Sequence, residues 1–261
     1  MPFARFGTYG HIHHRALNGR AALAAAKREV AAFAATTHVF EGDVSWNFAK
    51  DRSDLYFRHP GYVFDSLTAR EIDAAQETLI RVEELAALVP AGVFLAIELK
   101  VGRGDWRHAI ARLIALLERD FAGRFWIDGF SLKLISHVKS QRPDLTVTLH
   151  TEYVSGGKAM VLAPDQTVPR LVSLADLPQI DGIAIRWRGS AAYMARASAE
   201  VRRAGKTLVL SRLHDLEQYR LSRHWRASAG YIHGDFAELM RYDATMIGSA
   251  GNVIENRVLP E

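Results

Sequence analysis

Three short polar groups carry most of the chemistry this chain could do: His14-Arg15, Glu41-Gly42-Asp43 and Glu98-Leu99-Lys100. Each closes a run that reads as a β-strand. Side chains in a strand alternate between faces, so Glu41 and Asp43 point the same way, and so do Glu98 and Lys100. Charges aimed in pairs off strand ends are costly in a core. They suit a metal-assisted phosphate site, where carboxylate oxygens hold a hard divalent cation and basic side chains meet phosphate oxygens. Taken singly, Glu41, Asp43 and Glu98 are equally well explained by a solvated strand edge or an ion-pair network with Lys100 and Arg15, so the weight rests on the combination.

The elements that must position these groups alternate along the chain. Candidate strands cover Phe6 to His13, His38 to Val44, Val93 to Lys100, Phe125 to Phe130, Thr146 to Thr151, Gly182 to Trp187, Thr207 to Arg212 and Gly230 to Gly234. Between them, apolar residues at three- and four-residue spacing predict helices over Arg20 to Ala35, Thr68 to Leu88, Trp106 to Phe121, Leu132 to Ser140, Ala191 to Ala204 and Leu216 to Trp225, with a weaker candidate at Leu171 to Leu177. Strands alternating with helices imply parallel pairing through crossovers, and eight repeats is the count that closes an α/β (β/α)8 TIM barrel. An open doubly wound sheet is the alternative. No Pro/Gly/Ser linker divides residues 1–261, so one domain is expected. Chemistry in such barrels sits at the C-terminal ends of the strands. Arg15, Asp43, Lys100, Glu152, Arg186, Arg212 and Asp235 all fall there.

Composition narrows the classes further. The chain has 33 basic against 29 acidic residues and a net charge of +4, a mild bias towards anionic small molecules that gives no argument for nucleic acid. Cysteine is absent, which excludes disulfides and thiolate chemistry. Met1 to Gly10 has no apolar stretch of signal-peptide length, and no window approaches the apolar length of a membrane span, so a cytoplasmic protein is expected.

These residues together resemble the glycerophosphodiester phosphodiesterase family of metal-dependent barrel hydrolases. His14-Arg15 stands where the family has His-Arg-Gly, and Glu41-Gly42-Asp43 follows at the separation of its Glu-x-Asp. His59 in LYFRHP matches a second histidine after the next strand, FLAIELK is similar to the Glu-x-Lys strand, and GYIHGDFAEL resembles the closing segment. The resemblance spans the chain nearly end to end. It departs at Ala16, Leu23, Pro60 and the seventh strand, where TLVLSRLHD replaces a tryptophan-threonine pair.

The residue types and the resemblance lead to the same expected roles. Glu41, Asp43 and Glu98 would hold Mg²⁺ or Ca²⁺, both of which prefer oxygen ligands. His14 and His59 would act as general acid and base, since imidazole both takes and gives protons near neutrality. Arg15 and Lys100 would bind the phosphate of a small-molecule phosphodiester. His150, Glu152, Arg186, Trp187 and Arg212 are candidates for a substrate pocket, and Ser155-Gly156-Gly157-Lys158 reads as a turn. Two rivals stand. An amidohydrolase-type metal barrel would use His11-Ile12-His13 as a ligand pair with His150 and Asp235; a noncatalytic phosphate-ligand barrel would keep the fold without turnover.

Overall fold

The computed structural model describes residues 9–49, 52–59, 67–75, 77–100, 105–151, 154–161 and 170–249. Eight parallel strands, numbered along the barrel, are β1 Gly10–His13, β2 Thr37–Ala49, β3 Phe94–Leu99, β4 Phe125–Gly129, β5 Val147–Thr151, β6 Gly182–Arg186, β7 Thr207–Leu213 and β8 Ala229–Ile232. Each pairs with the next, and β8 returns to β1 with Tyr231 beside Ile12, closing the cylinder. The expected (β/α)8 barrel is therefore observed.

Alternation along the staves divides the core in two. Ile12, Val39, Ala96, Trp126, Ala184, Val209, Ala229 and Tyr231 fill the barrel interior. Their strand neighbours, such as Phe40, Ile97, Ile127, Leu149 and Leu208, join the larger cluster between barrel and helices. Helix Trp106–Phe121 shows how the outer layer forms. Asp105 accepts a hydrogen bond from the His108 amide at its N-terminus, and Ala109, Ile110, Leu113, Ile114, Leu117 and Phe121 make one buried stripe. Ser131, Ser190 and Asp215 cap Leu132–Gln141, Ala191–Arg203 and Leu216–His224 in the same way.

Three expectations about elements are corrected. The stretch Thr68 to Leu88 is not one helix. A capping box between Thr68 and Glu71 starts Ala69–Ala74, but Ile80–Arg81 then pairs with Tyr56 and Phe57, because buried Asp54 draws in Arg81 at 2.5 Å. Leu171 to Leu177 is no helix either: Arg170–Ser173 is the outer strand of a small antiparallel sheet, followed by a 3-10 turn. Gly156 and Gly157, at φ 58° and 72°, form that sheet's two-residue hairpin turn, a geometry that suits glycine. Finally, β2 does not stop near Val44. It runs to Ala49, and Arg52–Phe57 folds back along it as an antiparallel ribbon.

Candidate metal and phosphate site

The ribbon and the rim bring the first group of predicted residues together. One cleft at the C-terminal end of the barrel is lined by His14, Arg15, Asp43, His59, Glu98 and Lys100, with Glu41 buried behind them. Inward parity places Glu41 and Asp43 above Val39, and Glu98 above Ala96. Gly42 allows this. A Cβ there would lie 2.6 Å from both Leu17 and Phe57, so only glycine lets the strand pass between them.

Ligand oxygens of Glu41, Asp43 and Glu98 all lie within 4.8 Å of one another. Burial pushes the Glu41 carboxyl up to about 8, with Asp43 adding to the rise. Burial likewise lifts Glu98 to about 7 against the pull of Lys100. Burial also acts on Asp43, but Lys100 and Asn18 together hold it below the usual carboxylate range. Lys100 reaches Asp43 Oδ1 at 2.8 Å and also pairs with Glu98. The Arg15 amide donates to Glu41 Oε2, leaving Glu41 Oε1 buried with no hydrogen-bond partner. Three clustered carboxylates, one with an orphaned oxygen, fit a hard divalent cation.

Asn18 gives the site a support that the sequence did not announce. Its Nδ2 donates to Asp43 Oδ2 at 2.5 Å, and its Oδ1 accepts from the Asp43 amide at 2.8 Å. Arg15 stands over the same carboxylate, Nε to Oδ2 at 3.8 Å, on a left-handed backbone at φ 56°. His14 lies 3.1 Å from Glu41 through Nδ1, and its ring sits tilted against that of His233, centroids 4.1 Å apart and planes at 30°. Burial lowers His14 to about 4, with Arg15 next in effect, so its neutral form prevails at pH 7.

The far side of the cleft holds the second group. His150, Arg186 and Arg212 line it, as do Phe130, Ser211, Tyr231 and His233. Tyr231 donates to Asp128 Oδ2 at 2.5 Å, Trp126 Nε1 donates to Asp128 Oδ1 at 2.8 Å, and His150 Nε2 lies 3.1 Å from the Tyr231 hydroxyl. Trp187 stacks instead on Trp225, with centroids 5.3 Å apart and planes at 17°, and is not part of the cleft. Glu152 lies outside the described residues.

His11 and His13 are absent from the cleft. They flank inward-facing Ile12 and so face the helices, where His11 meets the Tyr219 hydroxyl at 2.8 Å and His13 meets Glu29 and His38, each at 2.9 Å. The amidohydrolase-type reading loses its ligand pair.

Fold and site together define a (β/α)8 barrel with a clustered carboxylate, histidine and arginine/lysine rim. No protein-family model matches the chain, and no curated protein matches it. Solved structures do. An Oleispira antarctica phosphodiesterase in complex with the product sn-glycerol-3-phosphate is similar at TM-score 0.67 and 13% identity, over 95% of this chain and 99% of that one. A glycerophosphodiester phosphodiesterase from Parabacteroides distasonis ATCC 8503 is similar at 0.65 and 14%, over 94% and 98%. One from Agrobacterium tumefaciens str. C58 is similar at 0.59 and 16%, over 87% and 97%. At these identities the likeness is one of fold.

Proposed function

We propose that this chain is a metal-dependent phosphodiesterase acting on a glycerophosphodiester or related small-molecule phosphodiester, as a single barrel domain. The observation that carries this reading is the buried cluster of Glu41, Asp43 and Glu98 facing one cleft with His14, His59, Arg15 and Lys100. Barrel neighbours that are phosphodiesterases, one bound to sn-glycerol-3-phosphate, support the same substrate class.

The three carboxylates would hold Mg²⁺ or Ca²⁺, and such an ion would supply charge neutralisation at a nonbridging phosphate oxygen and would lower the pKa of a bound nucleophile. Arg15 and Lys100 orient the phosphate, the first through a planar fork and the second as a compact charge. Lys100 also limits repulsion between Asp43 and Glu98. His14, held neutral by burial, takes the proton of the attacking hydroxyl, and His59, two residues beyond the end of the ribbon, protonates the leaving oxygen. The attacker is water or a neighbouring substrate hydroxyl, the second giving a cyclic phosphate.

A screen of glycerophosphodiesters, lysophospholipids and sugar phosphodiesters, with and without chelator, tests the proposal. Turnover in ¹⁸O-labelled water separates the two attackers, since only hydrolysis places the label in the phosphate. No chelator-sensitive turnover by folded protein on any of them would sink the proposal.

A further inference from the structure

β7 departs from regular pairing at the rim. Leu210 sits opposite Gly230, but the next matched pair is Leu213 with Ile232, so β7 carries one residue more than β8 over this interval. That is a β-bulge, and its effect is to re-aim side chains. In a regular strand Ser211 and Arg212 would face opposite sides; here both line the cleft. Arg212 takes φ 64°, a conformation disfavoured for any residue with a Cβ. The surrounding backbone holds it there. Trp187 donates to the Ser211 carbonyl at 2.8 Å, and the His233 and Gly234 amides both donate to the Leu213 carbonyl. A Cβ at Gly234 would lie 2.1 Å from the His214 carbonyl oxygen, so this close approach needs glycine.

The described charges that line the two sides of the cleft differ. On the β1 to β3 side, Asp43 and Glu98 balance Arg15 and Lys100. On the β7 side Arg212 lines the wall, and no carboxylate among the described residues lines that side. A phosphodiester brings one negative charge, which the first side and its cation meet. An arginine held in a left-handed conformation at a bulge, and lining the cleft, is placed to meet a further anion.

We infer that Arg212 is a specificity-determining residue that binds a second anionic group, a carboxylate or a phosphomonoester, on the part of the substrate across the barrel from Glu41, Asp43 and Glu98. The inference rests on the phosphodiesterase reading for the position of the first phosphate. It predicts discrimination against neutral and quaternary-ammonium headgroups.

Calorimetric titration at fixed free Mg²⁺ compares glycerol 3-phosphate, 3-phosphoglycerate and glycerol 1,3-bisphosphate. At the carbon where the first has a hydroxymethyl group, the second has a carboxylate and the third a phosphorylated hydroxymethyl group, so they distinguish the two anions. The wild type is expected to bind at least one of them about 10- to 100-fold tighter than glycerol 3-phosphate, the range of a charge-assisted contact. Arg212→Gly, which suits the backbone, and Arg212→Gln, which keeps the side-chain length, should both reduce that preference to about threefold or less. Equal wild-type affinity for all three ligands, binding of none, or a preference that survives both substitutions overturns the inference. Anion preference without phosphodiester turnover would instead overturn the parent reading and leave the subsite standing.

Discussion

Asn18 offers the sharpest test of how the carboxylate cluster is held. Asn18→Ala removes two hydrogen bonds at once, one to the Asp43 carboxylate at 2.5 Å and one from the Asp43 amide at 2.8 Å. A bond to a charged acceptor contributes about 1.5–3 kcal/mol and a neutral one about 1 kcal/mol. Asn18 is half-buried, so water recovers part of this. A loss of about 2 kcal/mol in urea unfolding of the metal-free protein is expected. Residues that orient a ligand typically change metal affinity by about 10- to 100-fold, and calorimetric Mg²⁺ and Ca²⁺ titrations should weaken by that factor. Asn18→Asp separates positioning from charge. It keeps the acceptor for the Asp43 amide but sets a second carboxylate against Asp43, so metal-free stability falls further while the rise in Tm on adding metal grows. Metal affinity within twofold of wild type in Asn18→Ala, with unfolding shifted by less than about 0.5 kcal/mol, would refute the assignment.

Other perturbations probe the remaining parts. Tyr231→Phe withdraws a donor from buried Asp128 and should destabilise by about 1.5–3 kcal/mol in denaturant melts, with a double-mutant cycle against Asp128→Asn showing strong coupling. Gly42→Ala forces a methyl into Leu17 and Phe57 and should lower stability by about 1–3 kcal/mol while impairing turnover. His14→Ala and His59→Ala should each reduce kcat by about 10²-fold or more, measured on whichever phosphodiester the screen identifies. Burial lowers His11 to about 3, so the unfolded chain binds its proton first. Stability is then present above pH 6.5 and falls as pH drops from there towards about 3, by up to about 1.4 kcal/mol per pH unit; His11→Gln should flatten that limb of an acid titration followed by circular dichroism.

The barrel was legible because each stave repeats a plain signal: a short apolar run ending in a polar residue. Side-chain parity in β2 and β3 was enough to place Glu41, Asp43 and Glu98 on one face. What escaped the sequence depended on contacts distant along the chain. Asn18 is an ordinary polar residue after a strand, and only folding brings it to Asp43. Asp128 faces inward with Trp126 by the same parity, a signal present in the run Trp126-Ile127-Asp128. His233 follows Tyr231 by two residues, so strand alternation could have marked it as facing the cleft. The region from Thr68 to Leu88 has helical spacing, yet the Asp54–Arg81 pair and the buried trio Tyr56, Ile72 and Leu79 pull part of it into a strand. Trp187 shows the reverse case: its place beside Arg186 suggested a substrate contact, and an aromatic partner, Trp225, claimed it.

The antiparallel ribbon has a consequence for how such a site tolerates change over evolutionary time. His59 is separated from Asp43 along the chain by the remainder of β2 and the returning strand, yet Val44 faces Phe57 and the Arg58 amide donates to the carbonyl of Asp43 itself at 2.9 Å. Ser45 adds a second tie through its hydroxyl to the Arg58 carbonyl. The spacing between His59 and the carboxylates is therefore fixed by a ladder rung, independently of how many residues the excursion contains. Paired residues can be gained or lost together at the distal end of the ribbon while the histidine stays in place.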